Sequence, residues 1–246
     1  MGRGAFAVAA ALATLLSVVA GAHAAKKDRT GDAIWTRPDY ASLNLDRIAM
    51  LPVATFDHDY QTATLVEAVV GQAFKGAGYR WISAGTTRDL LRASAGGDSI
   101  LKALEASLLQ DPRVDSLSAP RLCSRLNCDA LLAFRVDQWE QLTPEWNQAG
   151  KATTSVRLKA ALVDSLGRLV WTATGGNTSE GGYYDPSAGM TGVKDSGLDR
   201  KPVSAQGGAP TFRETATTLL TRWIPRFPAK PLPAAPADSA SAPKPQ

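Results

Sequence analysis

The chain has 246 residues, with 27 Lys and Arg against 23 Asp and Glu, for a formal charge of +4. A fifth of it is charged and 44% is hydrophobic, enough apolar material for a sizeable packed core. So small a positive balance, with no basic stripe interleaved with aromatics, argues against a nucleic-acid binder, and two Cys with the one His beyond the first 24 residues do not make a zinc site of recognisable spacing.

The first 24 residues read as a cleavable secretory signal. Arg3 and the amino terminus give a short positive region, and 5–20 is almost wholly apolar around Leu12, Leu15, Leu16, Val18 and Val19. Ala22-His23-Ala24 then offers the small-x-small pattern that signal peptidase requires. The alternative is an uncleaved anchor, which needs about 20 strongly apolar residues. No Cys follows the signal to take a lipid, and no later stretch is long and apolar enough to span a bilayer. The mature chain is therefore expected in the periplasm as a soluble protein of about 220 residues, one domain with decorations.

Residues 25–46 read as an extended lead-in, polar and basic over 25–32. A packed domain is expected over 47–227. Arg47 to Val53 is a near-continuous apolar run, as in a strand buried on both faces. The loop Asp57-His58-Asp59 follows, then a helix in which Thr64 and Glu67 are expected to form a capping box. Leu65, Val69 and Ala73 give its apolar stripe, and Gly76 and Gly78 end it. Tyr79 to Ser83 reads as a short strand. Thr86 opens a second helix, and Asp98 caps a third through Leu101, Leu104 and Leu108, halted at Asp111-Pro112. A short helix over 120–126 leads into a strand over 131–139.

Val156, Leu158, Ala160 and Leu162 alternate with Arg157, Lys159 and Ala161, the period of a half-buried strand. Asp164-Ser165-Leu166-Gly167 is a turn by its chemistry, and 168–174 returns. A Gly-rich loop is expected over 175–210. Phe212, Ala216, Leu219, Leu220 and Trp223 then form an amphipathic helix stopped at Pro225. Residues 228–246, rich in Pro, Ala and Ser, are expected to be a disordered tail. The fold class is α/β, an α+β sandwich: one mixed sheet covered by helices, ending in a β-hairpin and a C-terminal amphipathic helix.

The strand ending in Leu51-Pro52, the helix after it, the Asp129-Ala130-Leu131-Leu132 entry to a strand and the hairpin Asp164-x-x-Gly167-x-x-x-Trp171 resemble, in this order, a group of bacterial envelope domains. The group includes the curli secretion channel subunit, the lipoprotein activators of penicillin-binding proteins, the amino-terminal domain of the Tol-system β-propeller protein and several uncharacterised lipoproteins. The resemblance spans about Ile34 to Phe227. It implies a non-enzymatic domain that docks onto envelope proteins or self-assembles. The chain departs from the group in having no lipid-bearing Cys and in a turn one residue tighter than Asp-x-x-Thr-Gly.

His58, the one histidine left after signal cleavage, lies between two aspartates at a strand end, where α/β proteins place reactive groups. The alternative functions are therefore an exported hydrolase or a small-ligand-binding protein with a site near His58. No Gly-x-Ser-x-Gly elbow, Walker loop or dinucleotide fingerprint accompanies it, and a solvated loop is the plainer reading. No catalytic residue, cofactor or metal is assigned. Tyr183, Tyr184 and Met190, aromatic and thioether side chains in the Gly-rich stretch, are the candidate interface. They equally suit a loop folded back over the sheet.

Cys123 and Cys128 are expected to pair as a disulfide, since export places them in an oxidising compartment. In a continuous helix the two point about 140° apart, so the pairing requires the helix to stop between them. Asn127 is the natural stop, because Asn tolerates the left-handed conformation. Two buried free thiols are the alternative.

Overall fold

Among the residues described by the computed structural model, 31–145, 148–184 and 208–230, seven strands form one mixed sheet. In chain order the elements are β1 (Ala33–Thr36), β2 (Arg47–Met50), β3 (Ala54–Thr55), α1 (Tyr60–Phe74), β4 (Arg80–Ile82), α2 (Ala84–Arg92), α3 (Gly97–Gln110), α4 (Ser118–Leu126), β5 (Ala130–Leu142), β6 (Gly150–Asp164), β7 (Leu169–Tyr184) and α5 (Phe212–Trp223). Across the sheet the order is β1-β7-β6-β5-β2-β4, with β3 pairing β5 off this path. β2 runs parallel to β4 and β5, whereas β5, β6, β7 and β1 are antiparallel neighbours. Residues 1–24, where a signal is expected, lie outside the described residues.

The apolar run at β2 is buried on both faces, as its composition requires. Ile48 and Met50, with Leu132 and Phe134 of β5, pack against α1 and α5. Ala49 and Leu51, with Leu131 and Ala133, pack against α2, α3 and α4. This alternation follows from the two-residue period of a strand. The sheet is thus the middle of three layers. Trp171 and Trp223 are fully buried in the first core and meet edge-on at 6.3 Å between centroids.

The hairpin turn has the chemistry expected of it. Asp164 accepts hydrogen bonds from the backbone N–H groups of Leu166 and Arg168, and Gly167 takes φ 76°. A side chain at Gly167 is doubly opposed, because its Cβ would lie 2.4 Å from the Ser116 Cα. α5 likewise covers the predicted span. Its start is a capping box that the sequence reading passed over: Thr211 accepts from the Glu214 N–H, and Glu214 accepts from the Thr211 N–H.

Five expectations require correction. The capping box at Thr64 and Glu67 does not exist: α1 begins a turn earlier, with Asp59 accepting from the N–H groups of Gln61 and Thr62. Thr64 lies inside the helix and donates to the Tyr60 carbonyl. Asp59 wins because it stands where the chain is still extended, at ψ 115°, as a cap must be.

The Gly-rich loop over 175–210 is also too broad. Residues 175–184 continue β7, in register with β6 from Leu158↔Gly175 to Gly150↔Tyr184. Backbone pairing with a long neighbour needs no side-chain period, so composition misleads here. Gly175 has a packing reason: a Cβ there would sit 2.1 Å from Asp32 Oδ1. Residues 185–207 lie outside the described residues.

Both flanks of the domain also hold more structure than expected. Within the lead-in, residues 33–36 form the edge strand β1, paired with β7 from Ala33↔Thr174 to Thr36↔Trp171. At the other end, Phe227 and Pro228 are buried, the Lys230 N–H donates to the Ala77 carbonyl at 3.2 Å, and the Lys230 ammonium pairs with Asp46. The packed chain therefore reaches Lys230; residues 231–246 lie outside the described residues.

At the α4–β5 corner, Asn127 ends the helix at φ 50° and the Cys128 N–H donates to the Cys123 carbonyl at 3.1 Å. The corner is made as expected, but the disulfide is not: Cys123 and Cys128 are buried free thiols. They pack with Leu122, Leu126 and Leu131 as small apolar residues. The corner is fixed without a cross-link, since Asp129 accepts from the N–H groups of Asp46 and Arg47 at 3.0 and 2.8 Å.

Candidate functional site

β2 leads into α1 on one face of the sheet, and its parallel neighbour β4 leads into α2 on the other. Where adjacent parallel strands send their helices to opposite faces, a crevice opens beyond their carboxyl ends. Here it is a cleft of about 660 Å³ whose lining includes His58, Asp59, Tyr60, Arg88, Asp89 and Glu105.

His58 is held at φ 56°, unusual for a residue with a side chain, and its Nδ1 lies 3.0 Å from Glu105 Oε1 on α3. Glu67 does not cap a helix. It accepts from the Val53 N–H at 3.2 Å and binds Arg88 at 2.6 Å, with both side chains largely buried. The Arg88 guanidinium also lies 5.7 Å from the Tyr60 ring centroid. Asp59 is held below the usual carboxylate range, first by the Thr62 hydroxyl and then by the N–H groups of Gln61 and Thr62. The α1 cap and the buried Arg88–Glu67 pair thus occupy Asp59 and Glu67, leaving the exposed His58–Glu105 pair and Asp89 at the opening. A His–Glu pair is half of a proton-transfer arrangement; a hydrolase site of this kind also places a hydroxyl or thiol on the second ring nitrogen. Among the described residues the hydrogen bond of the His58 ring is to Glu105. Among the described residues no group of three or more His, Cys, Asp or Glu is placed to hold a metal ion.

The second candidate lies at the far end of the β5–β6–β7 meander. Tyr183 is 61% exposed and Leu142 is 65% exposed, at the same end of the sheet. Tyr183 stands opposite Lys151 and Tyr184 opposite Gly150. The ladder shifts between Lys151 and Thr153, so β7 carries one extra residue in Gly181-Gly182. This end is held firmly. Trp139 stacks on Phe212 at 4.5 Å and 8°, and Thr154 and Gln141 both donate to the Pro210 carbonyl, at 2.5 and 3.1 Å. Tyr183 and Tyr184 thus belong to a strand rather than a loop. Met190 lies outside the described residues. Leu142 went unnoticed in the sequence because its strand was expected to end at 139.

No protein-family model and no curated protein matches the sequence. Solved structures that resemble the fold include the lipoprotein GNA1162 of Neisseria meningitidis, with 18% identity over 55% of this chain and 83% of that one, at TM-score 0.42. The PelC dodecamer of Paraburkholderia phytofirmans shares 14% identity over 82% of this chain and 98% of its own, at TM-score 0.44. The hypothetical protein CT253 of Chlamydia trachomatis shares 12% over 74% and 95%, at TM-score 0.38. At TM-scores below 0.5 these likenesses carry no assignment of function.

Proposed function

We propose that the chain is an exported, non-enzymatic accessory or assembly protein of a bacterial envelope, acting by binding envelope proteins or further copies of itself. The observation that carries this reading is the end of the β5–β7 meander, where two large apolar side chains, Leu142 and Tyr183, stand exposed, the first on a strand tied to α5 by the Trp139–Phe212 stack and the second paired with Lys151 of β6. Anchors held rigid before binding lose little conformational freedom on docking. The signal pattern over residues 1–24 supports export, and the order of strand, helix and hairpin motifs supports the envelope context.

The test pairs two variants in an envelope-complementation and cross-linking assay. L142A/Y183A should lose cross-linked species while its melting temperature stays within a few degrees of the parent. H58A should keep both function and fold. Loss of function in H58A with an unchanged melting temperature would favour the second reading, a small-ligand or hydrolase site, which the strand-end cleft and the His58–Glu105 pair support.

A further inference from the structure

We propose that the groove between α3 and α4 is a docking site for an acidic amphipathic helix of a partner protein. It lies on the face of the sheet covered by α2, α3 and α4, apart from the meander end, and stands whether or not that end is an interface. The groove encloses about 470 Å³. Its floor is apolar and firm: Leu104 from α3, Val114 from the connecting segment and Leu122 from α4 are each nearly buried, and Ile100 completes it. Leu117, 76% exposed, directly precedes the α4 wall.

The rim supplies the charge. Arg121 and Arg125 stand one helical turn apart on α4, both exposed and both lining the groove. Elsewhere in this layer the arginines have acidic partners: Arg88 has Glu67, Arg92 has Asp98 and Arg113 has Asp111. Arg125 instead donates to the Ser94 hydroxyl at 3.0 Å, and among the described residues neither it nor Arg121 meets a carboxylate. The nearest acid in the groove, Asp115, turns its Oδ1 to the N–H groups of Leu117 and Ser118 at the start of α4. Two unpaired guanidiniums beside an apolar trough complement a helix with Leu or Ile along one stripe and Asp or Glu beside it. A second copy is the poorer occupant, since this chain itself carries more Lys and Arg than Asp and Glu. A flat anionic bilayer does not fill a recess between helices.

The experiment uses the mature chain and a fluorescein-labelled designed helix of about 16 residues, Leu on one stripe and Glu on the flanks, read by anisotropy. Saturable binding is expected, weakening with added salt and falling at least about tenfold in R121E/R125E. A103W keeps both arginines but fills the groove from α3, and should also abolish binding; circular dichroism confirms that both variants remain folded. Absence of binding overturns the proposal. So does equal binding of a matched peptide with Lys for Glu, or binding untouched by both variants. Capture by phosphatidylglycerol vesicles without peptide binding overturns it in favour of a membrane. A concentration-dependent dimer abolished by R121E/R125E, again without peptide binding, overturns it in favour of a second copy.

Discussion

Replacing Arg222 with Ala removes the counter-charge of an almost fully buried carboxylate. The Asp32 side chain is 2% exposed, and Arg222 donates to both of its oxygens, at 2.9 and 3.3 Å. The same guanidinium also donates to Asn177 Oδ1 at 3.1 Å and to the Gly176 carbonyl at 2.8 Å, so it ties α5 to the start of β1 and the middle of β7. Removing one partner of such a pair costs about 3–5 kcal/mol, because the other charge is left desolvated. The Arg222 side chain is 26% exposed, so water partly replaces it and the lower end, about 3 kcal/mol, applies. For a domain of this size that is a fall of about 6–12 °C in melting temperature. Asp32→Ala should cost less, because the freed guanidinium can turn to solvent. The double variant should cost less than the sum of the two, with a coupling of about 1–3 kcal/mol. Urea unfolding of the four proteins, followed by circular dichroism, completes the cycle. An R222A loss under about 1 kcal/mol, or strict additivity, would refute the reasoning.

A chain ending at Phe227 should melt several degrees below one ending at Lys230, since it loses the buried Pro228, the Lys230–Asp46 pair and the bond to the Ala77 carbonyl; equal melting temperatures would return the boundary to 227. Denatured, unreduced protein should yield two thiols and native protein none within minutes, because Cys123 and Cys128 are buried and the Cys128 contact, then burial, pushes the Cys123 thiol up. Gly167→Ala should destabilise the domain by about 1–3 kcal/mol through its φ of 76° and its approach to Ser116, read by thermal melting. Stability should hold from neutral pH to about 5 and fall below about 4. Asp46, Asp59 and Asp115 are held below the usual range, by Lys230, the Thr62 hydroxyl and the Ser118 hydroxyl first, respectively. In acid the folded chain binds fewer protons than the unfolded one, so their stabilisation is complete above the unfolded carboxyl range and is lost as pH falls through the lower folded values. Urea midpoints across pH check this.

Elements whose signal is local were legible in the sequence. The alternation at Val156–Leu162, the turn at Asp164–Gly167, the helix stop at Asn127 and the stripe of α5 each depend on neighbours a few residues away. Elements held by distant partners were not. Ala33–Thr36 has too few residues to show a period, and its strand exists because Trp171–Thr174 lies beside it. Residues 175–184 owe their strand to the length of β6, not to their own side chains. At the strand-end cleft, His58 and its aspartates stood out in the sequence, but Glu105 and Arg88 enter only through the packing of α3 and α2. The α3–α4 groove left no trace, since a rim of arginines is legible only once the carboxylates around it have been assigned to others.

Two contacts span 190 positions of the chain: Asp32 with Arg222, and the Thr36 hydroxyl with the Arg226 carbonyl. β1 is therefore made first during synthesis yet has nothing to rest on until β7, α5 and the segment after it exist. Such long-range closure comes late in folding, after the shorter loops have formed. The order of assembly inverts the order of the sequence at this edge. A nascent chain that stops after Tyr184 but before Arg222 leaves β1 unsecured, with its strand partner present but without the guanidinium that holds Asp32 in place.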